Sequence, residues 1–175
     1  MIEDERTDRW RSRLRAVFIL CLLFNAVAYF SLPAEMAVHF AGEGRANGWV
    51  PSWLNLLLFG GLDILLFVFF WWGPDLILRT PARWVNLPRR DVWLAEENRD
   101  LTRLKLRKHL SLLGIGVFLF MLGMSALILK ANYQRPPRLN TSLFLVVLVF
   151  FLLYVGVWVI LFYLDFSRTR RHGAG

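Results

Sequence analysis

Leu143–Leu164 reads LFLVVLVFFLLYVGVWVILFYL, 22 residues without a charge or a proline. About 20 apolar residues in a helix cross the hydrocarbon core of a bilayer, so this stretch reads as a membrane span. Three more stretches follow the same rule: Ala16–Leu32 with 17 residues, Trp53–Trp72 with 20 and Leu110–Leu129 with 20. Asp63 is the single charge inside the four. Open strands cannot satisfy their backbone in lipid, which leaves helices. The expected fold is an all-α membrane protein with four transmembrane helices.

Composition agrees. Of 175 residues, 57% are hydrophobic and 15% aromatic, and the mean hydropathy is +0.46. A soluble domain holds about 45–50% apolar residues even with Gly counted, so a soluble enzyme and a disordered tail are both excluded. Cys21 is the only cysteine, which rules out an intramolecular disulfide and a Cys-rich zinc site.

The connecting loops are short, so their basic residues set orientation. Arg6, Arg9, Arg11, Arg13 and Arg15 precede the first span, and nine basic residues from Arg79 to Lys108 lie between the second and third. Arg168, Arg170 and Arg171 follow the fourth, which puts 17 basic residues on one side. The other side has four: Arg45, Lys130, Arg135 and Arg138. Both termini are therefore expected in the cytoplasm. Trp10, Trp49, Trp53, Trp71 and Trp72 fall near span ends, where aromatic belts sit. A cleaved signal peptide is the rival reading of the first span, but 17 apolar residues exceed the usual ~7–15-residue signal core.

The expected organisation is one membrane domain: a basic tail over residues 1–15 and a first helix pair over 16–72, with an outer loop over 33–52. A cytoplasmic loop over 73–109, a second helix pair over 110–164 and a basic tail over 165–175 complete it. Within the cytoplasmic loop, residues 91–109 read as an interfacial amphipathic helix. Asp91 serves as its N-cap, Glu96 and Glu97 lie early, and Arg103, Lys105, Arg107 and Lys108 lie late. Leu94, Leu101 and Leu104 share its apolar face, with Trp93 at the start.

The outer loop is the most specific segment. Pro33 should end the first helix, and Gly44 and Gly48 should permit turns in an ordered cap. Leu32-Pro33, His39-Phe40, Gly44 and Gly48-Trp49, set between two spans, resemble the bacterial family called domain of unknown function 1648. That family often has Pro two residues before the His, where this chain has Ala37. It often has a polar residue after the His-aromatic pair, where this chain has Ala41. The run Asn86-Leu87-Pro88 with Asp91, Trp93 and Leu94 is similar to an Asn-Leu-Pro…Asp-Tyr-Trp-Leu-Ala stretch of many such proteins, with Val92 in place of Tyr. The resemblance implies a multi-pass protein of the bacterial plasma (inner) membrane. The same domain heads longer immunity and signalling proteins that protect cells against a secreted toxic peptide.

His39 reads as a loop histidine that pins its turn through backbone carbonyls, and it also suits pH sensing. Glu35, His39 and Glu43 are spaced by four, but the glycines at 42 and 44 oppose the helix that a metal site would need. No metal or cofactor is expected. Asp63 lies near mid-span, with Asn25 and Tyr154 at similar depth, and the three could form one intramembrane polar cluster. Such a cluster serves either as a functional ionisable site or as glue between helices.

No catalytic signature is present, so the first reading is a non-enzymatic sensor, regulator or toxin-immunity accessory with a ligand-facing outer loop. The second is a small transporter or proton-coupled carrier using Asp63, which would need a homo-oligomer. The expected partners are anionic lipid headgroups and a peptide or protein ligand, not nucleic acid.

Overall fold

The computed structural model describes residues 2–168, with side chains from residue 7 onward. The Arg6 side chain and Arg170, Arg171 and His172 lie outside the described residues. Four long helices dominate: α1 (Ile2–Ser31), α2 (Ser52–Arg79), α4 (Arg99–Asn132) and α5 (Thr141–Ser167). Between α1 and α2 lies a hairpin of β1 (Glu35–Phe40) and β2 (Ala46–Pro51), and α3 (Arg90–Trp93) is a short turn before α4. All four long helices are long and apolar enough to cross a membrane. At 1.5 Å per residue the 28 residues of α2 reach about 42 Å, beyond a core of about 30 Å.

The helices alternate in direction. The hairpin, the end of α4 and the start of α5 share one end. The start of α1, the end of α2, the 80–98 segment and the end of α5 share the other. At that end Arg11 stacks 3.8 Å over the Trp71 ring, and Arg103 Nε meets Asp75 at 3.0 Å. Asp165 of α5 receives Lys105 at 2.8 Å and His109 at 2.9 Å, both from α4. The described ends of the chain are thus on the same side of the bundle.

Helix α4 is the common partner of α1, α2 and α5. Lipid is as apolar as leucine, so helices associate in it by close packing and hydrogen bonds, and small residues permit the closest approach. A Cβ on Gly114 would fall 2.7 Å from Leu14 Cδ1 and 2.8 Å from the Phe70 ring. That glycine therefore admits α1 and α2 together. A Cβ on Gly116 would collide with the Tyr154 ring, so this glycine admits α5. Leu14, Cys21, Phe70, Leu110 and Phe118 form the core between α1, α2 and α4.

Several expectations need correction. The basic tail is already helical, as the beginning of α1, and α2 runs past Trp72 through Pro74 to Arg79. The all-α description omits the hairpin. The single amphipathic helix over 91–109 is broken: α3 ends at Trp93, a tight turn spans Glu96–Asn98, and α4 begins at Arg99. Asp91 is exposed inside α3 and is not a cap; that helix starts after Arg89, whose φ is 53°. The break follows from Trp93. Its ring is buried against Phe166, its Nε1 donates to the Phe166 carbonyl (2.6 Å), and Thr102 Oγ1 donates to the Trp93 carbonyl (2.6 Å). Leu94 and Leu101 pack against this cluster, so these two residues of the predicted apolar face meet protein.

Two glycine substitutions separate packing from propensity. Gly116→Ala should lower thermal stability in detergent by about 1–3 kcal/mol through overpacking against Tyr154. Gly156→Ala on α5 meets nothing within 4 Å and should be neutral or stabilising. Equal effects on the melting temperature would contradict this packing.

Candidate functional site: the hairpin and the cleft beneath it

The outer loop is an antiparallel hairpin pairing Glu35 with Pro51, Met36 with Val50 and Ala37 with Trp49. The register then shifts, and His39 faces Gly48 while Phe40 faces Ala46. Gly44 closes the turn with φ +76°, and its N–H donates to the Ala41 carbonyl (2.7 Å). A side chain there would collide with the Leu139 carbonyl, whose own residue donates its N–H to Gly44 O (2.8 Å). Gly44 therefore supplies both a left-handed turn and close contact with the α4–α5 connection. Gly48 has a different task from the turn expected of it. It sits in β2, where a Cβ would lie 2.9 Å from His39 Cβ.

An isolated two-stranded hairpin is marginal in water. This one is held by a residue outside it. Ala37 donates its N–H to Asn132 Oδ1 (2.7 Å), and Asn132 Nδ2 donates to the Ala37 carbonyl (2.9 Å) and to Ile128 O (2.9 Å). The Asn132 amide thus takes the place of a third strand on the edge of β1. Ala37 provides the N–H that this pairing uses, which a proline at this position would lack. At the base, Ser52 N–H donates to Ala34 O (2.9 Å).

Met36 and Ala37 are buried, whereas Glu35, His39, Asn47 and Trp49 are exposed. His39 Nδ1 donates to the Asn47 side-chain oxygen, so it pins the hairpin through a side chain and not through backbone carbonyls. Leu32 and Pro33 lead out of α1, Leu32 partly buried and Pro33 exposed, and Phe40 is half-buried at the end of β1.

Beneath the hairpin a cleft opens between α1, α2 and α4. Its polar lining is Asn25, Tyr29, Ser52, Asn55 and Ser125. Asn25 Nδ2 donates to Asp63 Oδ2 (3.0 Å), and Asp63 is wholly buried behind it with Oδ1 unpartnered. Tyr154 does not join them: its hydroxyl donates to the Leu112 carbonyl, beside Gly116. Depth alone suggested a triad, but the rotation of α5 about its axis turns Tyr154 to α4.

The 86–94 run lies at the opposite end. Leu87 and Trp93 are buried, Leu94 packs against them, and Asn86 and Asp91 are exposed with Pro88 between these extremes. Its order comes from Trp93 on α5, so it is a packing element remote from the hairpin. Among the described residues, no group of three His, Cys, Asp or Glu side chains is placed to hold a metal ion.

Residues 16–62 match the family model described as Domain of unknown function (DUF1648). The matched stretch, 47 of the 175 residues, takes in the apolar part of α1, the hairpin and the first 11 residues of α2. The DUF1648 match stops one residue before Asp63 and leaves Asn132 and the 86–94 run outside. No curated protein and no solved structure matches the chain. Sequence reasoning missed Asn132, Ser52, Asn55 and Ser125. The signal for Asn132 was a lone amide just past the third apolar run.

The Asn25–Asp63 contact is testable by a double-mutant cycle. Asn25→Leu and Asp63→Leu should each shift thermal stability, and the double variant should depart from their sum by about 0.5–3 kcal/mol. Simple additivity would show that the two side chains do not interact.

Proposed function

We propose that this protein is a non-enzymatic sensor, regulator or toxin-immunity accessory of the bacterial plasma membrane. In this reading both termini are cytoplasmic and the hairpin faces outward to bind a peptide or protein ligand. The 17-to-4 division of basic residues supports that orientation. The observation that carries the reading is the hairpin itself. It is tied to Asn132 and to the Gly44–Leu139 contact, yet it leaves His39, Asn47 and Trp49 exposed. A pre-ordered strand pair with an exposed aromatic residue offers binding groups at low entropic cost. The immunity role of longer proteins with this domain suggests a peptide as ligand.

Asp63 favours a second reading, a proton-coupled carrier, because a buried carboxylate with an unpartnered oxygen is costly unless function requires it. Four spans are few for a carrier, so that reading calls for a homo-oligomer.

Sidedness and role can be tested together. A cysteine at Ala46 should react with an impermeant thiol reagent in intact cells, and one at Ala174 should not. Susceptible cells expressing the protein should then grow in medium conditioned by a toxin-secreting strain. His39→Ala and Trp49→Ala should lose that protection with unchanged insertion, while Asp63→Asn should keep it. Protection lost only with Asp63→Asn would favour the carrier, and a labelled Ala174 site would reverse the orientation.

A further inference from the structure

The surroundings of Asp63 differ sharply along the membrane normal. Toward the hairpin, Asn25 separates its carboxylate from a cleft to which three helices contribute polar side chains. Toward the other end, the bundle closes. Cys21, one turn from Asn25 on α1, donates its thiol to the Phe118 carbonyl (3.2 Å). Phe18 stacks on Phe67 at 4.2 Å, and Leu14, Phe70 and Leu110 complete an apolar plug. Asp63 Oδ1 has no hydrogen-bond partner among the described residues. No Lys or Arg lies in the apolar run around it. The titratable groups near it are the Cys21 thiol on α1 and the Tyr29 phenol in the cleft; α4 presents Ser125 and the Phe118 ring. An ionised carboxylate left without a counter-charge in this setting is unfavourable, so the site calls for a small cation.

We propose that Asp63 is a one-sided site for a small monovalent cation, a proton or an alkali ion, that exchanges only with the hairpin side. Asn25 holds Oδ2 and stands between the site and the cleft, while Oδ1 is the free ligand atom. The cleft, about 20 Å³ and walled by seven apolar and five polar residues, has room for about one water beside polar partners, whereas the aromatic plug offers water none. One-sided exchange suits a protein that reads conditions outside the cell. It denies a carrier its second exit, so the site stands independently of whether the hairpin binds a peptide.

The test uses the full chain in lipid nanodiscs, treated with dicyclohexylcarbodiimide and analysed by mass spectrometry of its peptides. This reagent adds to protonated carboxyl groups in apolar surroundings. Asp63 should be modified, and Asp63→Asn should abolish that adduct while eluting as the parent does. Modification that slows about tenfold for each pH unit once the acid is mostly ionised, and ignores sodium chloride against choline chloride, identifies the proton. Slowing by sodium chloride at fixed pH identifies an alkali ion. No adduct on Asp63 at any pH would overturn the site. For sidedness, Asn55→Cys and Ser125→Cys in a Cys21→Ser background should react with a hydrophilic thiol reagent, and Phe70→Cys should not. Reaction of Phe70→Cys as fast as the other two would overturn one-sided access.

Discussion

A backbone in hydrocarbon has no water to bond, so every N–H and C=O must find a partner in the protein. Everything else in this molecule follows from that constraint. The four long helices satisfy it internally, and among the described residues non-helical backbone appears only at the two ends of the bundle. At the hairpin end the constraint meets a harder case, because a two-stranded hairpin has two open edges. Asn132 covers one of them by bonding both the N–H and the carbonyl of Ala37. The hairpin is thereby fixed to α4, the helix against which α1, α2 and α5 all pack. Its position depends on the bundle and not on the flexibility of a loop.

The two ends of the bundle are held by different physics. Remote from the hairpin, aromatic packing and ion pairs dominate: Trp93 on Phe166, Arg11 on Trp71, and Lys105 and His109 on Asp165. There the side chains combine apolar stems with charged heads, an arrangement suited to the headgroup region. Near the hairpin, hydrogen bonds to neutral amides dominate, from Asn132, Asn47 and Asn25. Neutral amides orient groups without fixed charge. The hairpin tip adds an exposed Glu43–Arg45 ion pair (3.2 Å), whereas no charged residue lines the cleft beneath it and Asp63 lies behind Asn25.

The four spans were legible because a helix that is apolar all round, over the length of a bilayer core, is at home in lipid and not in water. The loop motif was legible as an ordered cap, but its strands were not. Glu35–Phe40 contains only a weak alternation, and the glycines read as turn formers although only Gly44 has positive φ. The Asn25–Asp63 pair could be guessed from depth, whereas Tyr154 could not be excluded, since depth does not fix which way a side chain points. The break before Arg99 was hidden because its cause is long-range: Trp93 is anchored 73 residues away on Phe166. Asn132 went unnoticed for the same reason, its partner Ala37 being 95 residues distant.

The hairpin is a fixed platform, held on α4 by Asn132 and on the α4–α5 connection by the Gly44–Leu139 contact. Residue-resolved amide exchange of the chain in nanodiscs tests this claim most directly. In the parent protein the Ala37 amide should be protected, although in the strand pair it faces away from β2 toward Asn132. In Asn132→Ala that amide should exchange at least about fivefold faster, corresponding to the loss of a hydrogen bond worth roughly 1 kcal/mol or more, with the centre of α4 unchanged. An Ala37 amide that exchanges as fast in the parent as in Asn132→Ala would contradict the claim.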